Sequence, residues 1–107
     1  MHLEDIQKDI YEIYIHHDRR RGIDKTLEWF LTEVYELYIA IKYGGDIGEE
    51  ASDVIAWLLS LCNLYGINIE IEFKRKYGNK CPKCDSKPCT CEYRPEPNKK
   101  VVIVRIQ

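Results

Sequence analysis

Two long helical patterns with almost nothing between them dominate this 107-residue sequence. Residues 24–43 place Leu27, Phe30, Leu31, Val34, Leu37, Tyr38 and Ile41 on one stripe at helical spacing. Residues 47–65 do the same with Ala51, Val54, Ile55, Leu58, Leu61, Cys62 and Tyr65, the expected buried face of that helix. Gly44-Gly45 ends the first pattern, and Asp24 and Asp46 are suitable N-caps for the two helices. So short a connection forces the chain to fold back at once as an antiparallel helical hairpin. Gly66 closes the second member.

The flanking segments extend this all-α plan. Leu3, Ile6, Ile10, Ile13 and Tyr14 predict a helix over 3–17, after which His16 to Gly22 reads as a basic connection. Residues 67–77 fit two patterns. Ile67, Ile69, Ile71 and Phe73 alternate as in a strand, whereas Asn68 can cap a helix with Phe73 and Tyr77 four apart. Beyond Tyr77 the composition shifts to cysteine, proline and lysine, and Val101 to Ile106 is a β-branched run suited to a short terminal strand. The expected division is a helical domain over 1–78 and a cysteine-rich tail over 79–107. A core this small gains from oligomerisation or a bound metal.

Sixteen basic against eighteen acidic residues leave a net charge of −2, without the basic surplus of a general nucleic-acid binder. No stretch is long and apolar enough to span a membrane, and the acidic start Met1-His2-Leu3-Glu4-Asp5 lacks the pattern of a signal peptide. The expected compartment is the cytoplasm, where clustered thiols more often bind metal than pair as disulfides.

Chemistry concentrates in two places. Glu33 and Glu36 lie three apart on one helix of the hairpin, and Glu50 and Asp53 lie three apart on the other. Each pair shares a helix face. Counted from the middle of the Gly44-Gly45 turn, Glu36 and Asp53 are equidistant, so the four carboxylates converge. Like charges brought together require a cation, and carboxylate oxygens suit a hard ion such as Mg²⁺ or Mn²⁺, which also takes phosphate oxygens. Trp29 and Trp57 occupy the same off-stripe faces as the acids, an unusual composition for a merely solvated surface.

The second place is Cys81, Cys84, Cys89 and Cys91, spaced C-x2-C-x4-C-x-C. The first half has zinc-knuckle spacing, and four thiolates complete a tetrahedral structural Zn²⁺ site; disulfides or free thiols are the alternative. Cys62, on an apolar helix face, reads as core.

Glu33-Val34-Tyr35-Glu36-Leu37 followed by Glu49-Glu50-Ala51-Ser52-Asp53-Val54 resembles the ExxE and ExxD signature of the MazG-type nucleotide pyrophosphohydrolases. The similarity covers about residues 18 to 77 and takes in Arg21-Gly22, Thr26, Trp29, Trp57 and Gly66-Ile67, while Lys76-Tyr77 before the cysteines looks like the end of archaeal short forms. The resemblance implies an antiparallel bundle of the all-α NTP pyrophosphatase type, completed as a homodimer or homotetramer, and a helix over 68–77. It implies hydrolysis of an NTP or dNTP to the monophosphate and pyrophosphate. Glu33, Glu36, Glu50 and Asp53 would then be the Mg²⁺ ligands, with Glu33 or Glu36 serving the attacking water. Lys25, Lys74, Lys76 or a residue of Arg19 to Arg21 would hold the triphosphate, and Trp29 or Trp57 would stack on the base. The chain differs from many members in having Thr32 before Glu33 and Glu72 where longer members carry lysine. The competing reading is a zinc-containing, non-catalytic module that binds protein or RNA.

Overall fold

A computed structural model describes residues 1–98 as four helices: α1 (Leu3–Arg21), α2 (Ile23–Tyr43), α3 (Ile47–Tyr65) and α4 (Ile69–Tyr77), with no strand among these residues. The strand expected over Val101 to Ile106 lies outside the described residues. The chain divides into two units, Met1–Glu72 and Phe73–Gln107. No single helix among the described residues is long and apolar enough to cross a membrane.

The hairpin forms as the short connection demands. The Asp46 side chain accepts from the Glu49 backbone N–H at 3.1 Å and so caps α3, and Gly66 ends it in the left-handed conformation at φ 66°. Between the helices a side chain on Gly45 would meet the Ala40 Cβ at 3.2 Å, so the turn tolerates only glycine without a shift. Residues 69–77 are helical, and Asn68 Oδ1 accepts from the Ile71 N–H at 3.2 Å, which settles the two-way pattern in favour of the capped helix.

Two expectations need correction at the start of the chain. The basic stretch from His16 is not a connection but the last turns of α1, which runs to Arg21. Arg19, Arg20 and Arg21 there complement the partial negative charge of the helix C-terminus. Asp24 is not an N-cap, because α2 begins at Ile23 and Gly22 takes the cap position with φ 84°. Gly22 donates its N–H to Asp18 O at 2.9 Å and accepts from the Thr26 N–H at 3.1 Å, so one glycine ends α1 and opens α2.

Within the first unit, α3 packs along α2 and also supports α1. Buried Gln7 ties the ends together. Its Nε2 donates to Asn63 Oδ1 at 2.9 Å and to Ile67 O at 2.6 Å, and its Oε1 accepts from the Ile69 N–H at 3.1 Å.

The apolar stripes are only partly covered within one chain, with Phe30, Leu37, Ala51, Val54 and Leu61 half-buried. Leu27, Leu31, Val34, Tyr38 and Ile41 on α2 are 39–57% exposed, and Ile55, Leu58 and Tyr65 on α3 are similarly open. What a single chain buries fully is Thr26, Glu33 and Ala40 of α2 and Leu59, Ser60 and Cys62 of α3, of which only Cys62 belongs to the expected apolar stripes. Glu33 is thus interior, while much of the aliphatic face is open.

Candidate active site

The hairpin brings the acids together. A carboxylate oxygen from each of Glu33, Glu50 and Asp53 lies within 4.8 Å of the others. Glu36 is exposed and stands outside this closest trio, yet its carboxylate is near enough to raise both Glu33 and Glu50. All four predicted carboxylates therefore share one neighbourhood, three as a compact group and one at its solvent edge.

The electrostatics identify what such a group lacks. Burial, together with the charges of Glu36, Asp53 and Glu50, pushes the Glu33 carboxyl up to about 7. Desolvation and the charges of Glu36, Asp53 and Glu49 raise Glu50. Glu33 Oε2 and Glu50 Oε2 are buried without any hydrogen-bond partner, a costly state for carboxylate oxygens. A divalent cation among the three would supply both oxygens with a partner and lower both protonation equilibria. The donor set is all oxygen and fits a hard ion.

This arrangement gives a pH dependence with an unusual sign. Because the folded metal-free chain holds the Glu33 proton more tightly than the unfolded chain does, that proton stabilises the fold fully below about 4.5. The contribution is lost as pH rises through about 7. Urea denaturation in the presence of chelator is expected to show a lower midpoint at pH 8 than at pH 5.5 from this source, and Glu33→Gln is expected to flatten that difference. Mg²⁺ or Mn²⁺ affinity, followed by calorimetry, should rise up to tenfold per pH unit below about 7 and then level off.

A cavity of about 150 Å³ adjoins the acids, with Tyr14, Asp18 and Arg21 of α1 on one side and Asp53, Trp57 and Ser60 of α3 on the other. Arg21 is fixed within it. Its Nη1 donates to Asp18 Oδ1 at 2.9 Å and to Thr26 Oγ1 at 3.2 Å, and its guanidinium lies 4.7 Å from the Trp57 ring centre. The Thr26 hydroxyl in turn donates to Gly22 O at 2.7 Å. Trp57 also stacks on Trp29, with ring centres 5.3 Å apart and planes 7° from parallel, while Trp29 remains half exposed.

Of the three arginines considered from sequence, the fold singles out Arg21. The Asp18–Arg21–Thr26 linkage was not anticipated, although an acid three residues before an arginine at a helix end was a signal for it. Lys25 pairs with Glu28 at 3.1 Å on the exposed side of α2. Lys74 and Lys76 belong to the second unit, where Lys76 lies 5.5 Å from the Tyr77 ring centre.

The four cysteines form their own centre in the second unit. All are free thiols, with Cys81 and Cys91 sulfurs 3.9 Å apart, Cys84 and Cys89 sulfurs 3.8 Å apart, and all four within 4.8 Å of one another. Sulfurs about 2.3 Å from a central zinc ion stand about 3.8 Å apart at the edges of a tetrahedron, far beyond the ~2.05 Å of a disulfide. Hydrogen bonds from the Thr90 side chain and backbone hold the Cys84 thiol down to about 5, whereas Cys89, Cys84 and Cys81 push Cys91 up to about 12. Without a cation the cluster cannot ionise together; a metal would allow it to.

The MazG nucleotide pyrophosphohydrolase domain matches residues 21–85, more than half of the chain. The chain belongs to the MazG nucleotide pyrophosphohydrolase family. This match defines a class of enzyme acting on nucleotides and includes all four site carboxylates. Searches of curated proteins and of solved structures return no match.

Proposed function

We propose that the protein hydrolyses an NTP or dNTP to the monophosphate and pyrophosphate with Mg²⁺ or Mn²⁺. The observation that carries this reading is the trio of buried Glu33 and half-buried Glu50 and Asp53, with one carboxylate oxygen each of Glu33 and Glu50 buried and unpartnered, in a chain of this family. When bound, the ion would neutralise phosphate charge and acidify water. Glu33, Glu50 and Asp53 hold it. Glu36, the exposed acid beside them, is placed to accept the proton of the attacking water.

Arg21 meets the negative charge of the triphosphate. Asp18, Thr26 and Trp57 fix its guanidinium in advance, so little side-chain freedom is lost on binding. Lys25 provides further positive charge for the phosphate tail. The open face of Trp29, backed by Trp57, offers a stacking surface for the base.

The outward aliphatic stripes of α2 and α3 are covered by a second copy of the chain, giving a homodimer or a dimer of dimers. Their spacing and continuity are those of a helix-bundle seam. The four thiolates would hold a structural Zn²⁺, which would stabilise the loop rather than take part in the reaction. The site of action is the cytoplasm.

Pyrophosphate release is expected across a panel of standard and modified triphosphates only when Mg²⁺ or Mn²⁺ is present, and sedimentation should find a dimer or larger. Metal-independent release, or none with any triphosphate, would overturn the reading.

A further inference from the structure

The near-neutral total charge conceals a sharp segregation. Met1–Glu72 carries six Lys and Arg against fifteen Asp and Glu, a net of −9, whereas Phe73–Gln107 carries ten against three, a net of +7. Averaging over the whole chain cancels the two. A charge asymmetry of this size between units points to a polyanionic partner for the basic one.

We propose that the cysteine loop from Lys80 and the adjoining Tyr93 and Arg94 bind single-stranded RNA. Three features of the unit agree. The backbone from Lys80 is wound into a tight loop, with Asp85 N–H donating to Cys81 O at 2.8 Å and Cys81 N–H to Ser86 O at 2.9 Å. The loop carries Lys80, Lys83 and Lys87 within eight residues, all of them exposed, with Lys80 paired to Asp85 at 2.7 Å and Lys87 donating to Asn79 Oδ1 at 2.6 Å. Next to the cysteines, Tyr93 is 83% exposed and is followed by exposed Arg94. Tyr93 and Arg94 also line a surface groove of mixed charge that runs from Glu92 through Pro95, Glu96 and Pro97. Basic side chains that follow a phosphate backbone, interleaved with aromatic faces on which bases stack, are the physical basis of single-strand binding. Compact cysteine knuckles are one of the frames on which such side chains are carried.

A membrane surface is the less suitable partner. Lipid binding requires an apolar face that enters the bilayer, and the cysteine loop of this unit presents lysines, prolines and one tyrosine instead. An acidic protein surface would match the charge but would leave Tyr93 without a stacking role. The inference does not depend on the hydrolase reading, because it concerns side chains outside the carboxylate centre.

The test uses the full chain, purified with its metal, and a labelled oligouridine of about 20 nucleotides, longer than the ~4–16 nucleotide footprint of a small single-strand-binding fold. Fluorescence anisotropy is expected to give micromolar binding at physiological salt. The affinity should fall with salt at a logarithmic slope of about −2 to −3.5, corresponding to three to five phosphate contacts. Lys83→Glu/Lys87→Glu/Arg94→Glu should weaken binding about a hundredfold, and Tyr93→Ala about fivefold or more. Metal content serves as the folding control, since none of these residues is a cysteine. Should the triple variant lose metal, Lys83→Ser/Arg94→Ser replaces it and should weaken binding about tenfold. The proposal fails if the oligonucleotide does not bind, or if the charge variants bind it as well as the parent. It also fails if phosphatidylserine vesicles or a second copy of the chain are preferred, or if inorganic pyrophosphate displaces the oligonucleotide at equal phosphate concentration.

Discussion

The Asp53→Asn and Glu50→Gln variants are expected to lose at least ~10²–10³-fold in kcat, about 3–4 kcal/mol of transition-state stabilisation, while keeping the helical content of the parent. Each change keeps side-chain volume and removes one anionic oxygen ligand from the trio that converges within 4.8 Å. Loss of activity through misfolding is distinguishable by its sign. In the metal-free protein the trio is held together against mutual repulsion, and that repulsion raises Glu33 and Glu50. Neutralising one member relieves it, so the inactive variants should unfold in chelator at a urea concentration equal to or above that of the parent. Metal affinity should fall in parallel with kcat. The double variant should be scarcely worse than either single one, because ligands of one ion act as a unit. Full hydrolysis in either variant would remove that carboxylate from the mechanism.

The second large effect lies in the other unit. Cys84→Ser is expected to lower zinc affinity more than ~100-fold, since partners that only orient the ligands are themselves worth about 10–100-fold. Cys84 is the informative position because Thr90 holds its sulfur as a thiolate, with the backbone N–H at 3.3 Å. The described loop from Gly78 through the cysteines contains no helix or strand, so metal binding supplies much of its folding free energy. Metal loss should therefore expose the loop to protease. The ellipticity of α1, α2 and α3 should persist, because their packing is made within Met1–Glu72. One zinc per chain in the parent and none in the variant, by elemental analysis, is the expected outcome. Equal zinc in both would exclude Cys84 as a ligand.

Several features were legible in the residue order because their causes are local. Asp46 and Gly66 act within a turn of where they stand, and α3 begins and ends as their capping chemistry requires. The carboxylates were legible for a related reason: a three-residue turn and a 3.6-residue period leave few ways to place Glu33, Glu36, Glu50 and Asp53. The end of α1 was not legible. The residues from His16 to Arg21 look like a solvated break, but polarity alone does not stop a helix, and arginines in a last turn favour it. Nor could the order of residues choose among Arg19, Arg20 and Arg21. That choice depended on Asp18 being buried and on Trp57 arriving from α3.

The hairpin, its turn, its caps and the identity of the acidic residues follow from interactions between residues close along the chain, and local chemistry specifies them. Which face of each helix turns inward does not follow in that way. An aliphatic stripe is stabilised equally by its own chain or by another, because burial of apolar surface has no preferred partner. In this fold the single chain encloses Glu33, Thr26 and Ser60, and leaves much of the stripes open. That choice arises only when three helices pack at once. It is also what removes Glu33 and Glu50 from water and turns four ordinary acids into a site that demands a cation.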